Sequence, residues 1–158
     1  MENEKPTRPQ SDVPDVVDSN PINLEYDTKH AKRGIAVIFN QVNFKNLEKR
    51  NGSDKDCDSI HKTLIHLGFD VRVHKDSKQS EIKNELTTIA NEDHSNNDCF
   101  MLVIMTHGEE NTLHASDKIF EQNLLWENFI GANCPTLIGK PKLFFIQACR
   151  GRSFDGGV

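Results

Sequence analysis

Two short polar segments, each directly after an apolar run, contain the side chains best suited to covalent catalysis. Residues 106–110 read Thr-His-Gly-Glu-Glu, and residues 147–151 read Gln-Ala-Cys-Arg-Gly. A cysteine thiol becomes a nucleophile when an imidazole within hydrogen-bond reach removes its proton or stabilises the thiolate. The backbone N–H groups of Gly108 and Cys149 would then bind the oxyanion of a tetrahedral intermediate. The pattern predicts acyl transfer through a thioester, with Cys149 as the nucleophile and His107 as its base.

The elements that must bring these segments together follow from the apolar patterning. We predict strands at 35–39, 69–73, 99–105 and 143–146, helices from Ser53 or Asp54 to Gly68, from Ser80 to Ile89 and from Leu124 to Gly131, and a hairpin at 112–115 and 118–120. Strands that alternate with helices favour an α/β fold whose central sheet is mostly parallel, with helices on both faces. Ligands bind such sheets outside the carboxyl ends of the strands. His107 and Cys149, although 42 residues apart, are therefore expected at the same edge.

A long polar loop joins the first predicted strand to the first predicted helix. Residues 40–53 are mostly polar, and Arg50-Asn51-Gly52 lies near their end. Loops of this length inside a compact domain are usually functional. We therefore treat Arg50 as a candidate functional residue.

The acidic side chains are concentrated near the N-terminus. Residues 1–28 hold seven acidic and two basic side chains, so this segment carries −5, whereas residues 29–158 hold seventeen of each sign and balance. Four of the six prolines also lie within the first 21 residues. Such a composition cannot bury enough apolar surface to offset the entropy of ordering the chain. We predict a disordered acidic leader over 1–28 and one folded domain over 29–158.

Charge, hydropathy and cysteine spacing disfavour several classes of partner and cofactor. A balanced domain offers no electrostatic footprint for nucleic acid or a membrane surface, and the apolar runs are far shorter than the roughly twenty residues that span a bilayer. The N-terminus lacks the features of a secretory signal or transit peptide, so we expect a cytoplasmic protein with reduced thiols. Cys57, Cys99 and Cys134 are interpreted as core residues. The cysteine and histidine spacings match no zinc site, so neither a metal nor a cofactor is expected.

These motifs resemble those of the caspase family. The segment 147–151 is similar to the family's nucleophile motif, and His-Gly-Glu-Glu at 107–110 resembles its histidine motif. Lys-Arg-Gly at 32–34, before the first strand, and Gly-Lys-Pro-Lys-Leu-Phe at 139–144, before the cysteine, extend the resemblance. It covers residues 29–158, which correspond to the large subunit of a caspase.

The resemblance implies a caspase-like fold, here its large-subunit portion only, and a cysteine endopeptidase that cleaves proteins after aspartate. Cys149 is then the nucleophile and His107 the acid and base, with the amides of Gly108 and Cys149 binding the oxyanion. Arg50 and Gln147 match the positions that bind the substrate's aspartate side chain. The chemistry of arginine agrees with this role for Arg50, because a planar guanidinium binds a carboxylate bidentately. A site built for that charge rejects neutral side chains.

Two further features of the family bear on this sequence. Glu48 lies where caspases orient the histidine through a backbone carbonyl, so the resemblance implies no third catalytic carboxylate. Residues 111–115, Asn-Thr-Leu-His-Ala, depart from the glycine-containing hairpin that is usual in the family. This hairpin is expected to lie away from the chemistry, so the departure leaves the predicted activity unchanged.

A caspase large subunit acts with partners. The small subunit supplies another arginine, most of the substrate cleft and the dimer interface, so we expect this chain to be inactive alone and to expose apolar surface at a sheet edge. The resemblance implies a small subunit, a second heterodimer and protein substrates with aspartate before the cleaved bond. Inhibitor-of-apoptosis proteins are further candidate partners, whereas nucleic acid and membranes are not.

The short leader resembles that of an executioner caspase, which is made as a zymogen, is activated by proteolysis and acts in apoptosis. Asp15 and Asp18 each follow another aspartate three positions earlier, the spacing of executioner substrates. We expect cleavage after Asp18, with Asp15 as the second candidate. The alternative is a truncated isoform or an inert homologue that acts as a binding decoy or regulator; the intact catalytic and substrate-binding residues argue against loss of chemistry.

Overall fold

A mixed sheet lies at the centre of the molecule. The structure, a computed structural model, describes residues 25–150, and for residues 149 and 150 it describes the backbone only. Within this range there are six strands: β1 (Ile35–Asn40), β2 (Asp70–Lys75), β3 (Phe100–Glu109), β4 (Thr112–His114), β5 (Ile119–Glu121) and β6 (Lys142–Arg150). β1 pairs in parallel with β2 and β3, and β6 pairs in parallel with the other edge of β3. β4 pairs antiparallel with the end of β3, and β5 with β4. The predicted α/β fold with a mostly parallel sheet is confirmed.

Two helices cover opposite faces of this sheet. α1 (Ser53–His66) contributes Cys57 and Leu64 to an apolar cluster with one face, and α2 (Gln79–Ala90) contributes a stripe of leucine and isoleucine to a cluster with the other. Alternate residues of a strand point to opposite faces, so β1 supplies both clusters. Every residue of β1 is buried, as expected for a central parallel strand. Neither helix is long and apolar enough to cross a membrane, nor is any other in the described part of the chain.

The prediction of a third helix, from Leu124 to Gly131, is wrong. Residues 122–137 form four short 3₁₀ turns, at Gln122–Leu125, Glu127–Phe129, Gly131–Asn133 and Pro135–Leu137. Asparagines and a proline interrupt this segment, and they favour turns over a continuous helix. Leu124, Leu125, Phe129 and Leu137 are nevertheless buried in the apolar cluster that α2 covers, whereas Ile130 is 51% exposed.

The helix starts also differ from the predicted ones. Gly52, with φ of 85°, is the N-cap of α1, and Ser53 is the first helical residue. The Ser53 hydroxyl does not cap the helix but donates a hydrogen bond to Asn40. α2 begins one residue before Ser80, and the Glu81 carboxylate accepts the backbone N–H of Lys78 at 2.7 Å. Ser80 is therefore the second helical residue and not the N-cap, and Glu81, the third residue, accepts the N–H of the N-cap residue Lys78.

β3 and β6 are longer than the predicted strands at 99–105 and 143–146. They pair with each other over nine residues, from Phe100 opposite Lys142 to Gly108 opposite Arg150. Mutual pairing satisfies the backbone groups of polar residues that carry no strand signal of their own. The two polar segments that were expected just beyond the strands therefore lie largely within them.

Candidate active site

The catalytic candidates on β3 and β6 lie side by side. In the parallel register of these strands, His107 is opposite Cys149, and Gln147 is opposite Met105. Neighbouring strands are about 4.8 Å apart, so two positions separated by 42 residues in sequence become adjacent. The structure thus brings the histidine and the cysteine backbone together at the carboxyl ends of the parallel strands.

The backbone carbonyl of Glu48 orients the His107 ring. Nε2 of His107 lies 2.9 Å from this oxygen, and the ring of Phe44 packs against the imidazole with centroids 4.7 Å apart. A carbonyl oxygen can only accept a hydrogen bond, so Nε2 carries the proton that it donates. The other ring nitrogen, Nδ1, is then the basic atom of the neutral imidazole. The contact that the caspase resemblance implies for Glu48 is present.

Asp76 anchors the loop that carries Glu48. Its carboxylate accepts the backbone N–H of Val42 at 2.7 Å and that of Asn43 at 2.8 Å, and it also accepts the Asn43 side-chain amide at 2.7 Å. Burial alone would raise the pKa of Asp76, but the hydrogen bonds from Asn43 and Val42 outweigh burial and hold this pKa below its usual value. The loop is therefore fixed by a charged group from the end of β2.

Arg50, at the other end of this loop, is held against the edge of the sheet. Its Nη1 atom donates to the backbone carbonyl of Gln41 at 3.1 Å and to the hydroxyl of Ser53 at 2.8 Å. Its backbone N–H donates to the carbonyl of Val42 at 2.9 Å. The guanidinium is thus oriented by one strand end and by the first turn of α1.

A chain of polar side chains extends behind Arg50. Ser53, only 3% exposed, donates to Oδ1 of Asn40 at 2.5 Å, and Nδ2 of Asn40 donates to Asp54 at 2.9 Å. Lys75 donates to the second oxygen of Asp54 at 2.8 Å. Sequence reasoning missed Asn40 and Ser53 as supporting residues. The available signal was the position of Asn40, a polar residue at the carboxyl end of a buried strand.

Position 108 leaves little room for a side chain. β4 and β6 pair with opposite edges of β3 there, placing Leu113 on one side of Gly108 and Arg150 on the other. A Cβ atom would lie 3.0 Å from Cβ of Ala148, from a Leu113 methyl carbon and from the carbonyl oxygen of Thr112. The glycine therefore allows the two strands to close on the residue next to His107. Its role in binding an oxyanion stays a prediction.

Comparison with known proteins shows to which family this chain belongs. The family model described as "Caspase domain" matches residues 33–158. The chain belongs to the caspase family. The crystal structure of caspase-1 from Spodoptera frugiperda matches with a TM-score of 0.81 at 44% sequence identity, over 84% of this chain and 54% of that chain. The resemblance that the motifs indicated is confirmed.

Individual caspases match over most of this chain but over a smaller part of their own. Caspase-1 of Spodoptera frugiperda is 44% identical over 135 residues, which are 84% of this chain and 45% of the relative. Caspase drICE of Drosophila melanogaster is 40% identical over 136 residues, which are 85% of this chain and 40% of the relative. The chain therefore spans less than half the length of these two relatives.

The β6 edge of this caspase chain exposes apolar side chains. Leu143, Ile146 and Phe145, the last 54% exposed, lie on β6, and no other described strand pairs with its outer edge. Gln147 is exposed on the same strand, and it borders a groove of about 400 Å³ between β6 and α1. Arg50 is bonded to the residues that follow β1, and Gln147 lies on β6, so the two residues belong to elements that flank β3 on opposite edges.

The remaining cysteines of the described region lie in the core. Cys57, Cys99 and Cys134 are buried, as the sequence predicted. Burial raises the pKa of the Cys57 and Cys99 thiols, which makes them poor nucleophiles. Between residues 25 and 150, no group of three metal-ligating side chains is found. Asp15 and Asp18 lie outside the described residues.

Proposed function

We propose that this chain is the large-subunit portion of a cysteine endopeptidase that cleaves proteins after aspartate. The observation that carries the proposal is the pairing of His107 with Cys149 in the β3–β6 register, combined with the Glu48 carbonyl on Nε2 of His107. That carbonyl leaves Nδ1 as the basic nitrogen, which is what activation of a thiol requires. Membership of the caspase family supports the same chemistry.

The reaction uses His107 twice. Nδ1 takes the thiol proton of Cys149, and the thiolate attacks the scissile carbonyl carbon. The amides of Gly108 and Cys149 bind the resulting oxyanion. The imidazolium then gives its proton to the leaving amine as the C–N bond breaks, which leaves a thioester on Cys149. Water loses a proton to His107, adds to the thioester, and releases the acid product and the thiol.

Arg50 and Gln147 select aspartate at the cleaved position. The Arg50 guanidinium is already oriented by Gln41 and Ser53, so less side-chain entropy is lost when it binds a carboxylate. Gln147 supplies amide hydrogen bonds from the opposite side of β3. A site that desolvates these groups rejects neutral side chains, because its donors would be left without partners.

The complete enzyme includes a small subunit that pairs with β6. The exposed apolar residues of this edge strand support that partner, since pairing would bury them and satisfy the backbone groups of the strand. Two such heterodimers form the active assembly.

Residues 29–158 are the catalytic large-subunit domain, and residues 1–28 are a leader of a zymogen that acts in apoptosis. Inhibitor-of-apoptosis proteins are candidate regulators of that assembly.

Removal of the leader follows from the same specificity. Cleavage after Asp18 leaves Ser19 at the new N-terminus, whereas cleavage after Asp15 leaves Val16. N-terminal sequencing of the processed subunit should therefore begin at Ser19, with Val16 as the second expectation. A start after a basic residue would contradict self-type processing.

A reconstituted heterodimer tests the activity. The chain is co-expressed with the small subunit of the Spodoptera frugiperda relative, and the purified complex is assayed on a fluorogenic tetrapeptide ending in Asp and on the matched Asn peptide. We expect cleavage of the Asp peptide only, with loss of turnover but retained assembly in Cys149→Ala. A chain that does not assemble contradicts the proposal. A stable complex without turnover would instead favour the inert regulator.

A further inference from the structure

An asparagine followed by a glycine lies between Arg50 and the first residue of α1. Asn51 is the only asparagine in the sequence that precedes a glycine, and both residues of this pair are exposed. Gly52 has a φ of 85°, and no described atom outside its chain neighbours lies within 4 Å of the position that a Cβ would occupy. Asparagine is a thermolabile residue. It reacts most readily before glycine, because no side chain then shields the following backbone nitrogen.

The reacting groups of this pair are not held by other groups. Within residues 25–150, neither the Asn51 side chain nor the backbone N–H of Gly52 makes a hydrogen bond. The Gly52 carbonyl, in contrast, accepts the backbone N–H groups of Lys55 at 3.1 Å and of Asp56 at 3.3 Å. The Asn51 side chain can therefore rotate toward the Gly52 nitrogen while the start of α1 stays in place.

We propose that Asn51 is a site of spontaneous deamidation to isoaspartate, and that this modification weakens the selection of aspartate by Arg50. The Gly52 nitrogen loses its proton and forms a bond with Cγ of Asn51, while the bond from Cγ to the amide nitrogen breaks and ammonia leaves. Water then opens the cyclic imide. Addition of water at Cγ gives aspartate, whereas addition at the main-chain carbonyl carbon breaks the bond from that carbon to the Gly52 nitrogen and gives isoaspartate.

Isoaspartate alters the chain beside Arg50. It adds one methylene group to the main chain and places a negative charge on the residue next to the arginine. Arg50 is held on both sides of this change, because its backbone N–H donates to Val42 at 2.9 Å and its Nη1 atom donates to the Ser53 hydroxyl at 2.8 Å. The longer main chain strains these contacts, and the new carboxylate competes with that of the substrate for the guanidinium. The effect on substrate selection rests on the proposed function, whereas the chemical step does not.

Incubation of the reconstituted heterodimer tests the chemical step. The complex is kept at neutral pH and body temperature for increasing times, and its peptides are then analysed by mass spectrometry and by labelling with an isoaspartate methyltransferase. A sample digested without incubation corrects for modification during digestion. Asn111, which is exposed and precedes Thr112, is the internal control. We expect Asn51 to be modified at least about tenfold faster, because a branched side chain shields the nitrogen that would attack Asn111. Equal rates at the two asparagines, or no isoaspartate at Asn51, would overturn the proposal.

The activity of the same samples tests the consequence. We expect kcat/KM for an Asp peptide to fall as the modified fraction rises, with modified molecules at least about threefold below unmodified ones. Asn51→Gln is the matched variant, because its longer side chain closes a cyclic imide far more slowly. It should match the fresh wild type and keep its activity through the same incubation.

The two measurements separate this proposal from the proposed function. If Asn51 is modified while kcat/KM stays constant, or if Asn51→Gln loses activity as fast as the wild type, the effect on Arg50 is wrong. If the fresh heterodimer cleaves no substrate, the proposed function fails, and the effect on substrate selection fails with it. The isoaspartate measurement needs no activity, so it decides in every case whether Asn51 is a modification site.

Discussion

Arg50 and Ser53 are joined by a hydrogen bond of 2.8 Å from Nη1 to the serine hydroxyl. This bond connects the long loop to the first residue of α1, and the same hydroxyl donates to Asn40 at the end of β1. Three elements therefore determine where the guanidinium lies. Under the proposed function, in which Arg50 binds the substrate's aspartate, Ser53 is a positioning residue for that guanidinium.

Ser53→Ala should weaken substrate binding more than catalysis. The variant removes one of the acceptors that orient Arg50, so we expect KM for an Asp peptide to rise about three- to tenfold with kcat nearly unchanged. Ser53→Thr keeps the hydroxyl and should restore KM. Steady-state kinetics on the heterodimer measure both parameters. A fall in kcat at constant KM would show that Ser53 acts on the chemistry instead.

Arg50→Lys should not be conservative. A single ammonium replaces a planar fork of donors, so we expect kcat/KM for an Asp peptide to fall by at least about a hundredfold. Lys49→Ala, at the exposed neighbouring position, is the matched control and should stay near the wild-type value. Near-normal cleavage by Arg50→Lys would mean that Arg50 does not bind the aspartate.

His107→Ala should remove both proton transfers of the proposed mechanism. We expect kcat to fall by about 10³-fold or more, because no other group replaces the base and the acid. His66→Ala, an exposed histidine in the last turn of α1, serves as the control. Single-turnover cleavage of an Asp peptide measures the chemical step. A loss of only a few fold would show that another base acts at the site.

Asp76 should make the stability of the long loop depend on pH. Its pKa is lowered in the folded state, so its stabilising effect is complete above the unfolded pKa of about 3.9 and is lost as the pH falls through the lower folded value. Asn adopts the positive φ of 52° about as readily as Asp, so Asp76→Asn keeps the backbone conformation. It removes the charge and, because an amide nitrogen cannot accept, also the hydrogen bond from Nδ2 of Asn43. We expect it to cost about 1 kcal/mol at pH 7 after solvent screening, and less at pH 3. Denaturant unfolding at the two pH values checks this, and an equal cost at both would contradict it.

Gly34→Ala should be far more destabilising than Gly139→Ala. Both glycines have positive φ, but a Cβ on Gly34 would lie 1.8 Å from the carbonyl oxygen of Cys99, whereas nothing lies within 4 Å at Gly139. We expect Gly139→Ala to cost about 1 kcal/mol from backbone strain alone. Gly34→Ala must also displace the start of β3, so it should lower the thermal midpoint further or prevent folding. Similar midpoints for the two variants would show that the close approach is unimportant.

Apolar patterning determined most of the fold and predicted that the candidate catalytic residues are neighbours. The continuous apolar runs predicted β1 and β3 as buried strands, and the spacing of Cys57 and Leu64 predicted α1. Because parallel strands place their carboxyl ends at one edge, the sequence alone predicted that His107 and Cys149 lie together. Local periodicity predicts the positions of strands and helices because it reflects which side chains are buried in the folded protein.

Only the tertiary structure decided how the site is supported. The bond from Arg50 to Ser53, the anchoring of the loop by Asp76 and the packing of Phe44 on His107 join groups whose partners are set by the path of the chain. The turns at 122–137 likewise depend on packing under α2 more than on helix propensity. Such contacts carry no periodic signal in the sequence, since a single hydrogen bond or ring contact depends on where two distant segments meet.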